Sequence, residues 1–145
     1  PMTLQARQLG FKEIVDVVGK NIPMVHSSLA TTRDFIKEHR DRVRRFLQGY
    51  IEGIKVARSN PEETKRIVGK YTKITGQEDL EETYRTFVDA WEKVPYVSSA
   101  AVQTILNFST SPNAKTAKPE QFIDNSIIEE LERSGFISQL YQHQP

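Results

Sequence analysis

The amino-acid sequence predicts a mostly α-helical chain in which one or two short N-terminal strands precede five or six helices. Three observations carry this expectation. Residues 11–18, FKEIVDVV, crowd β-branched side chains into one short run. From Thr31 onward the apolar residues recur instead at steps of three and four. Between the periodic stretches, Gly, Pro and Asn stand where a chain has to turn. A length of 145 residues suits one domain, which can bury a core without a disulfide or metal staple.

Gly10 and the Gly19-Lys20-Asn21 group bound the first strand. IPMVHSS at 22–28 is a second extended piece, and Pro23 makes it an edge or connecting segment because proline donates no ladder hydrogen bond. Two strands do not make an independent sheet, so they call for a helix to lie on or for strands from elsewhere. Phe35, Ile36, Val43, Phe46, Leu47, Tyr50, Ile51 and Ile54 then give one long helix an apolar face. Thr31 and Asp34 make a capping pattern at its start, with a carboxylate at the positive helix end. Gly49 and Gly53 each weaken a helix interior by about 1 kcal/mol against alanine. Four apart on one face, they predict the close approach of another element.

Ser59-Asn60-Pro61 ends that helix, and Pro61 opens the next, PEETKRIVGKY, at a position that tolerates it. Thr75-Gly76 closes the second helix. Leu80, Tyr84, Phe87, Val88 and Trp91 mark a third, which Pro95 terminates. Residues 98–108 form a fourth, with Ala101, Val102, Ile105 and Leu106 inward. The polar stretch 111–119 reads as a loop and PEQFID as a short turn. Ser126 and Glu129 suggest a capping box for the last helix, with Gly135 as its left-handed cap and Phe136 folding back upon it.

Composition narrows the function. A formal net charge of +1 argues against a general binder of polyanions. With no cysteine there is no disulfide, no thiolate nucleophile and no cysteine-based zinc site, which fits cytosol and periplasm equally. No apolar run approaches the roughly 18 to 20 residues of a membrane-spanning helix. The opening PMTLQARQLG lacks the basic-then-apolar order of a signal peptide.

Each candidate constellation meets a plainer explanation. Between Arg33 and Arg58 stand eight basic and four acidic residues. The acids are interleaved, Asp41 four before Arg45 among them, which suits a solvated face more than a nucleic-acid surface. His26, His39 and His143 share no metal-ligand spacing, so neither metal nor cofactor is expected. No GxSxG elbow and no glycine-rich phosphate loop occurs, and Glu62-Glu63 and Glu81-Glu82 are explained by first turns of helices. The stripe Tyr84, Phe87, Trp91 reads as core, and Tyr96 beside Pro95 as the lip of an opening. HSSLATT at 26–32 remains. Its hydroxyls either cap the helix and satisfy loop backbone, through Thr31 or Thr32 first, or meet a polar or anionic ligand.

The order of these features resembles a known family. Leu9, Gly10, Phe11, Asp16, Ile22, Pro23, Ala30, Thr31, Thr32, Arg33, Phe35 and Ile36 carry the resemblance, followed by Val43, Arg44, Arg45, Phe46, Leu47, Glu52, Gly53 and Ile54. PEETKRIVGKY, LEETYRTFV, the Val94-Pro95-Tyr96 turn and KPEQFIDNSIIEELERSGFISQLY continue it in order. Together they resemble the C-terminal half of an ABC-importer periplasmic solute-binding protein of the nitrate, sulfonate, taurine and thiamine-precursor type. The resemblance spans nearly all of the chain, and its ordered series is more specific than any single motif. Glycine and threonine are common in that family where His26, Ser27 and Ser28 stand here.

The resemblance implies an α/β family fold, type II periplasmic-binding-protein-like, of which this chain is a mostly α part. Residues 1–145 would be a single partial domain, the C-terminal half of a two-lobed protein. Residues 1–28 would form a strand and hinge segment, and 29–145 the helical part of the first lobe. The implied role is non-catalytic: capture of a small polar or anionic solute in an inter-lobe cleft, in the periplasm or otherwise outside the cytoplasm. The implied partners are the solute, an ABC permease in the membrane, and the missing N-terminal half or a second copy of the chain; nucleic acid is not among them. The implied ligand contacts are Ser27, Ser28, Thr31 and Thr32, with His26 and Asp16 next. The residues alone leave another reading open, a stand-alone helical oligomerisation or interaction module without a ligand.

Overall fold

The computed structural model of the chain describes residues 2–15, 22–25 and 27–142. Among them are eight α-helices: α1 (Met2–Gln8), α2 (Arg33–Glu38), α3 (Arg40–Ser59), α4 (Pro61–Thr72), α5 (Gln77–Val88), α6 (Ser99–Phe108), α7 (Ser126–Arg133) and α8 (Phe136–Gln142). Two 3₁₀ turns, Pro112–Lys115 and Pro119–Gln121, occupy the loop before α7.

The predicted strands are corrected. No strand occurs among the described residues, and 11–15 and 22–25 run without regular structure; residues 16–18 of the first predicted strand lie outside the described residues. The physical reason is the missing partner. β-branched side chains favour a strand only where a neighbouring strand and a covering face exist, and Phe11, Ile14 and Val15 are exposed, Ile14 by 97%. Ahead of this segment lies a helix the periodicity did not reveal. α1 closes on Gly10, which takes φ 85. Its N–H donates to Arg7 O and that of Phe11 to Ala6 O, the paired bonds of a glycine-capped helix end.

The predicted long helix is two. His39, at φ −130 and ψ 36, separates α2 from α3. Its ring sits edge-on to Phe35 with centroids 4.8 Å apart, and its carbonyl accepts from both Arg42 and Val43 to start α3 afresh. α3 then runs for 20 residues and forms the spine of the body. Ile51 joins Ile128, Leu131 and Ile137 in the core, with Leu47, Val94, Phe136, Leu140 and Tyr141 packed around them. α7 and α8 therefore fold back onto α3 through Gly135, whose φ of 80 makes the corner. The expectation of one apolar face on α3 needs narrowing, because only Ile51 and Ile54 of that helix are buried while Phe46 is 59% exposed.

α4 starts on Asn60, whose Oδ1 accepts from the Glu63 N–H, with Pro61 in the first turn. The buried Thr64 hydroxyl is satisfied by Asn60 O at 2.8 Å and Ala57 O at 3.2 Å. α4 and α5 pack as a hairpin in which Gly69 allows a close crossing, since a Cβ there would meet Ile74 O at 3.0 Å. Gly49 and Gly53 show the opposite. Nothing lies within 4 Å of a Cβ at either, so the predicted close approach is absent among the described residues.

Two details at the C-terminal end also differ from expectation. α7 is preceded by Asn125 with no side-chain cap, and Ser126 turns outward to donate to Asp124 Oδ1 at 2.6 Å instead of building a capping box. The Asn125 amide instead pins the chain before α6, accepting from Val97 N–H at 3.1 Å and donating to Val97 O at 3.0 Å.

Candidate functional site

Segment 27–32 leads directly into α2. Ser27, Ser28, Thr31 and Thr32 all lie exposed along it. Thr32, one residue later than the Thr31–Asp34 pattern places it, is the helix cap: its Oγ1 accepts from the Phe35 N–H at 3.1 Å. That bond leaves the Thr32 O–H free to donate elsewhere. Ser27, Ser28 and Thr31 make no side-chain hydrogen bond among the described residues. His26 and Asp16 lie outside the described residues. The four described hydroxyls thus share one exposed stretch of chain and are not drawn into a pocket by the rest of the body.

Arginines of the basic run tie α2 and α3 to later parts of the chain. Arg33, the first residue of α2, donates to Gln121 O at 2.6 Å. Arg40, the first of α3, donates to Ser126 Oγ at 3.2 Å and forms an ion pair with Glu130. Ser126 passes the link on to Asp124 through its hydroxyl and its N–H, at 2.6 and 3.0 Å. These two bonds, with the nearby positive charges of Arg40 and Arg33, hold the Asp124 carboxyl below its usual pKa. Arg58, at the far end of α3, donates to Val88 O at 2.7 Å and Trp91 O at 2.6 Å, satisfying carbonyls where α5 ends.

The solvated-face reading of the basic run is therefore incomplete. Three of its arginines bridge separate helices, while Asp41 and Arg45 form no ion pair among the described residues. Arg33 and Arg40 open α2 and α3 on either side of the break at His39, so no spacing within a single helix points to their shared role. Around the α2–α3 break the surface carries an open depression of about 380 Å³, lined by residues 37–42 and Arg45. None of the predicted ligand contacts lines it.

Tyr96, read from sequence as the lip of an opening, instead donates its hydroxyl to Glu132 Oε2 at 2.7 Å. That bond, with the negative charge behind it, pushes its pKa up to about 12. Tyr84 is buried in the body as core, as its helical spacing indicated. Among the described residues no three His, Asp or Glu side chains gather as a metal ion would need, and no helix is long and apolar enough to cross a membrane.

Comparison with known families gives one match. The family model described as "NMT1/THI5 like" matches residues 5–64, from α1 into the first turn of α4. The matched stretch contains all six predicted ligand contacts, and it supports the resemblance to the nitrate, sulfonate and thiamine-precursor binding proteins. No curated protein and no solved structure matches the chain.

Proposed function

We propose that this chain is the C-terminal half of a solute-binding component of an ABC import system, without catalytic activity of its own. The observation that carries the reading is the family match over residues 5–64, which falls on the segment where hydroxyls were singled out for ligand contact. On this reading the chain takes the type II periplasmic-binding-protein fold when its other lobe is present, and works outside the cytoplasm beside a membrane permease. Residues 1–28 serve as hinge and 29–145 as the helical part of the first lobe.

Ser27, Ser28, Thr31 and Thr32 would then bind a small polar or anionic solute, with His26 and Asp16 beside them. Hydroxyls donate to a sulfonate, nitrate or amide oxygen without bringing a fixed charge, which suits capture and release. α2 has only six residues, so the hydroxyls, more than a helix dipole, are asked to do the recognising. Calorimetric titration with nitrate, taurine, an alkanesulfonate and an aminopyrimidine is the direct test. One of these should bind, and the pair Ser27→Ala with Thr31→Ala should weaken it at least tenfold. Silence across the panel, or binding indifferent to both substitutions, would remove the assignment.

A further inference from the structure

α3 has two apolar stripes, and the body covers only one. Leu47, Ile51 and Ile54 turn toward α7, α8 and the core. Phe46 and Tyr50, at the next helical positions around, are 59% and 37% exposed. Beside them Gly49 and Gly53 open onto empty space, with no neighbouring atom within 4 Å of a Cβ at either. Two rings thus stand next to two hollows on the same exposed side of one helix.

We propose that the outer stripe of α3 is the interface between two copies of this chain, α3 packing antiparallel on α3 across a two-fold axis between Gly49 and Tyr50. This register sets Phe46 over Gly53 of the second copy and Tyr50 over its Gly49, and symmetry repeats both contacts. An isologous surface has to be its own complement, and alternating rings and hollows meet that condition. The charges agree as well. Arg45 and Glu52 flank one side of the stripe, both exposed and neither in an ion pair among the described residues. The same axis brings Arg45 of each copy beside Glu52 of the other. The proposal does not depend on the solute reading, and a dimer that binds none of the solutes above leaves it standing.

Sedimentation equilibrium of the 145-residue chain should give twice 16.6 kDa at micromolar concentration, and Phe46→Glu should return it to the monomer with its helical circular dichroism unchanged. A monomer at every concentration, an assembly larger than two, or a dimer indifferent to Phe46→Glu would overturn the proposal. Should that variant unfold, cysteine cross-linking decides, since the chain has no cysteine of its own. Gly49→Cys, next to the axis, should form an intermolecular disulfide under mild oxidation. Gly53→Cys should not, because its image lies about 10 Å away along the helix, beyond the Cα separation a disulfide spans. Cross-linking at 53 in preference to 49 would refute the register and the axis with it.

Discussion

The segment before Arg33 and the body after it differ in how their apolar residues are used. In the body, Ile51 and Leu131 are fully enclosed, and Ile127, Ile128 and Ile137 nearly so. In the segment, Leu9, Phe11, Ile14, Val15, Ile22, Met24 and Leu29 all face outward. Both stretches are comparably apolar in sequence, so hydrophobicity alone does not decide burial. The body has helices whose stripes can close on one another at short range. The stretches 11–15 and 22–25 lack regular structure, and their β-branched side chains would be covered in a strand only with another strand beside it.

The largest expected effect breaks this comparison at its strongest point. Leu131→Ala should destabilise the chain by about 2 to 5 kcal/mol, since it opens a cavity among Ile51, Ile128 and Ile137. Ile14→Ala should change stability by no more than about 0.5 kcal/mol, as for an ordinary surface site. Urea titration of both variants measures the contrast directly. An Ile14→Ala loss comparable to that of Leu131→Ala would mean that the segment is packed against something in solution.

Much of the body was legible because its signals are local. Asn60-Pro61, Tyr84 in the core, the start of α6 at Ser98 and the left-handed Gly135 all fall where residue type alone places them, whereas α5 stops at Val88, short of the Trp91 and Pro95 at which the pattern ended it. The break at His39 was not read from the sequence, although the apolar series skips from Ile36 to Val43 across it and leaves His39 and Arg40 where the period calls for apolar side chains. The strands failed for a different reason. A run such as FKEIVDVV states a preference for extended backbone, yet the preference becomes a strand only with a partner. Of the site, only a hydroxyl cap at the helix start could be read from pattern, and the pattern set it on Thr31 where Thr32 is the cap. The bridges from Arg33, Arg40 and Arg58 join residues 30 to 90 positions apart, and no spacing rule within one helix predicts the far ends of such contacts.

A middle-sized effect tests those bridges. Arg58→Ala removes the charged donor from Val88 O and Trp91 O where α5 ends. Hydrogen bonds from a charged donor contribute about 1.5 to 3 kcal/mol, and the loss of Arg58 should fall in that range. Native-state hydrogen exchange should show the loosening concentrated in α5 and its junction with Trp91. Exchange that rises evenly across the body would show that the arginine acts through general packing.

The smallest effect concerns the polar link between the start of α3 and the segment before α7. Asp124 is exposed, and its pKa is lowered first by the Ser126 hydroxyl, then by the Ser126 N–H. A carboxyl depressed in the folded state lends stability above its unfolded pKa of about 3.9, and loses it as pH falls through the folded value. Ser126→Ala removes the larger of the two hydrogen bonds and leaves the N–H in place. The Asp124 pKa should then rise toward the ordinary carboxylate value without reaching it. The acid limb of the stability curve should lose the part of its slope that this residue supplies. Carboxyl-carbon NMR titration of Asp124 in both proteins reads the shift at the atom concerned. An unchanged pKa in Ser126→Ala would leave the depression to the Ser126 N–H and the charges of Arg40 and Arg33, and Arg40→Gln would then separate the two.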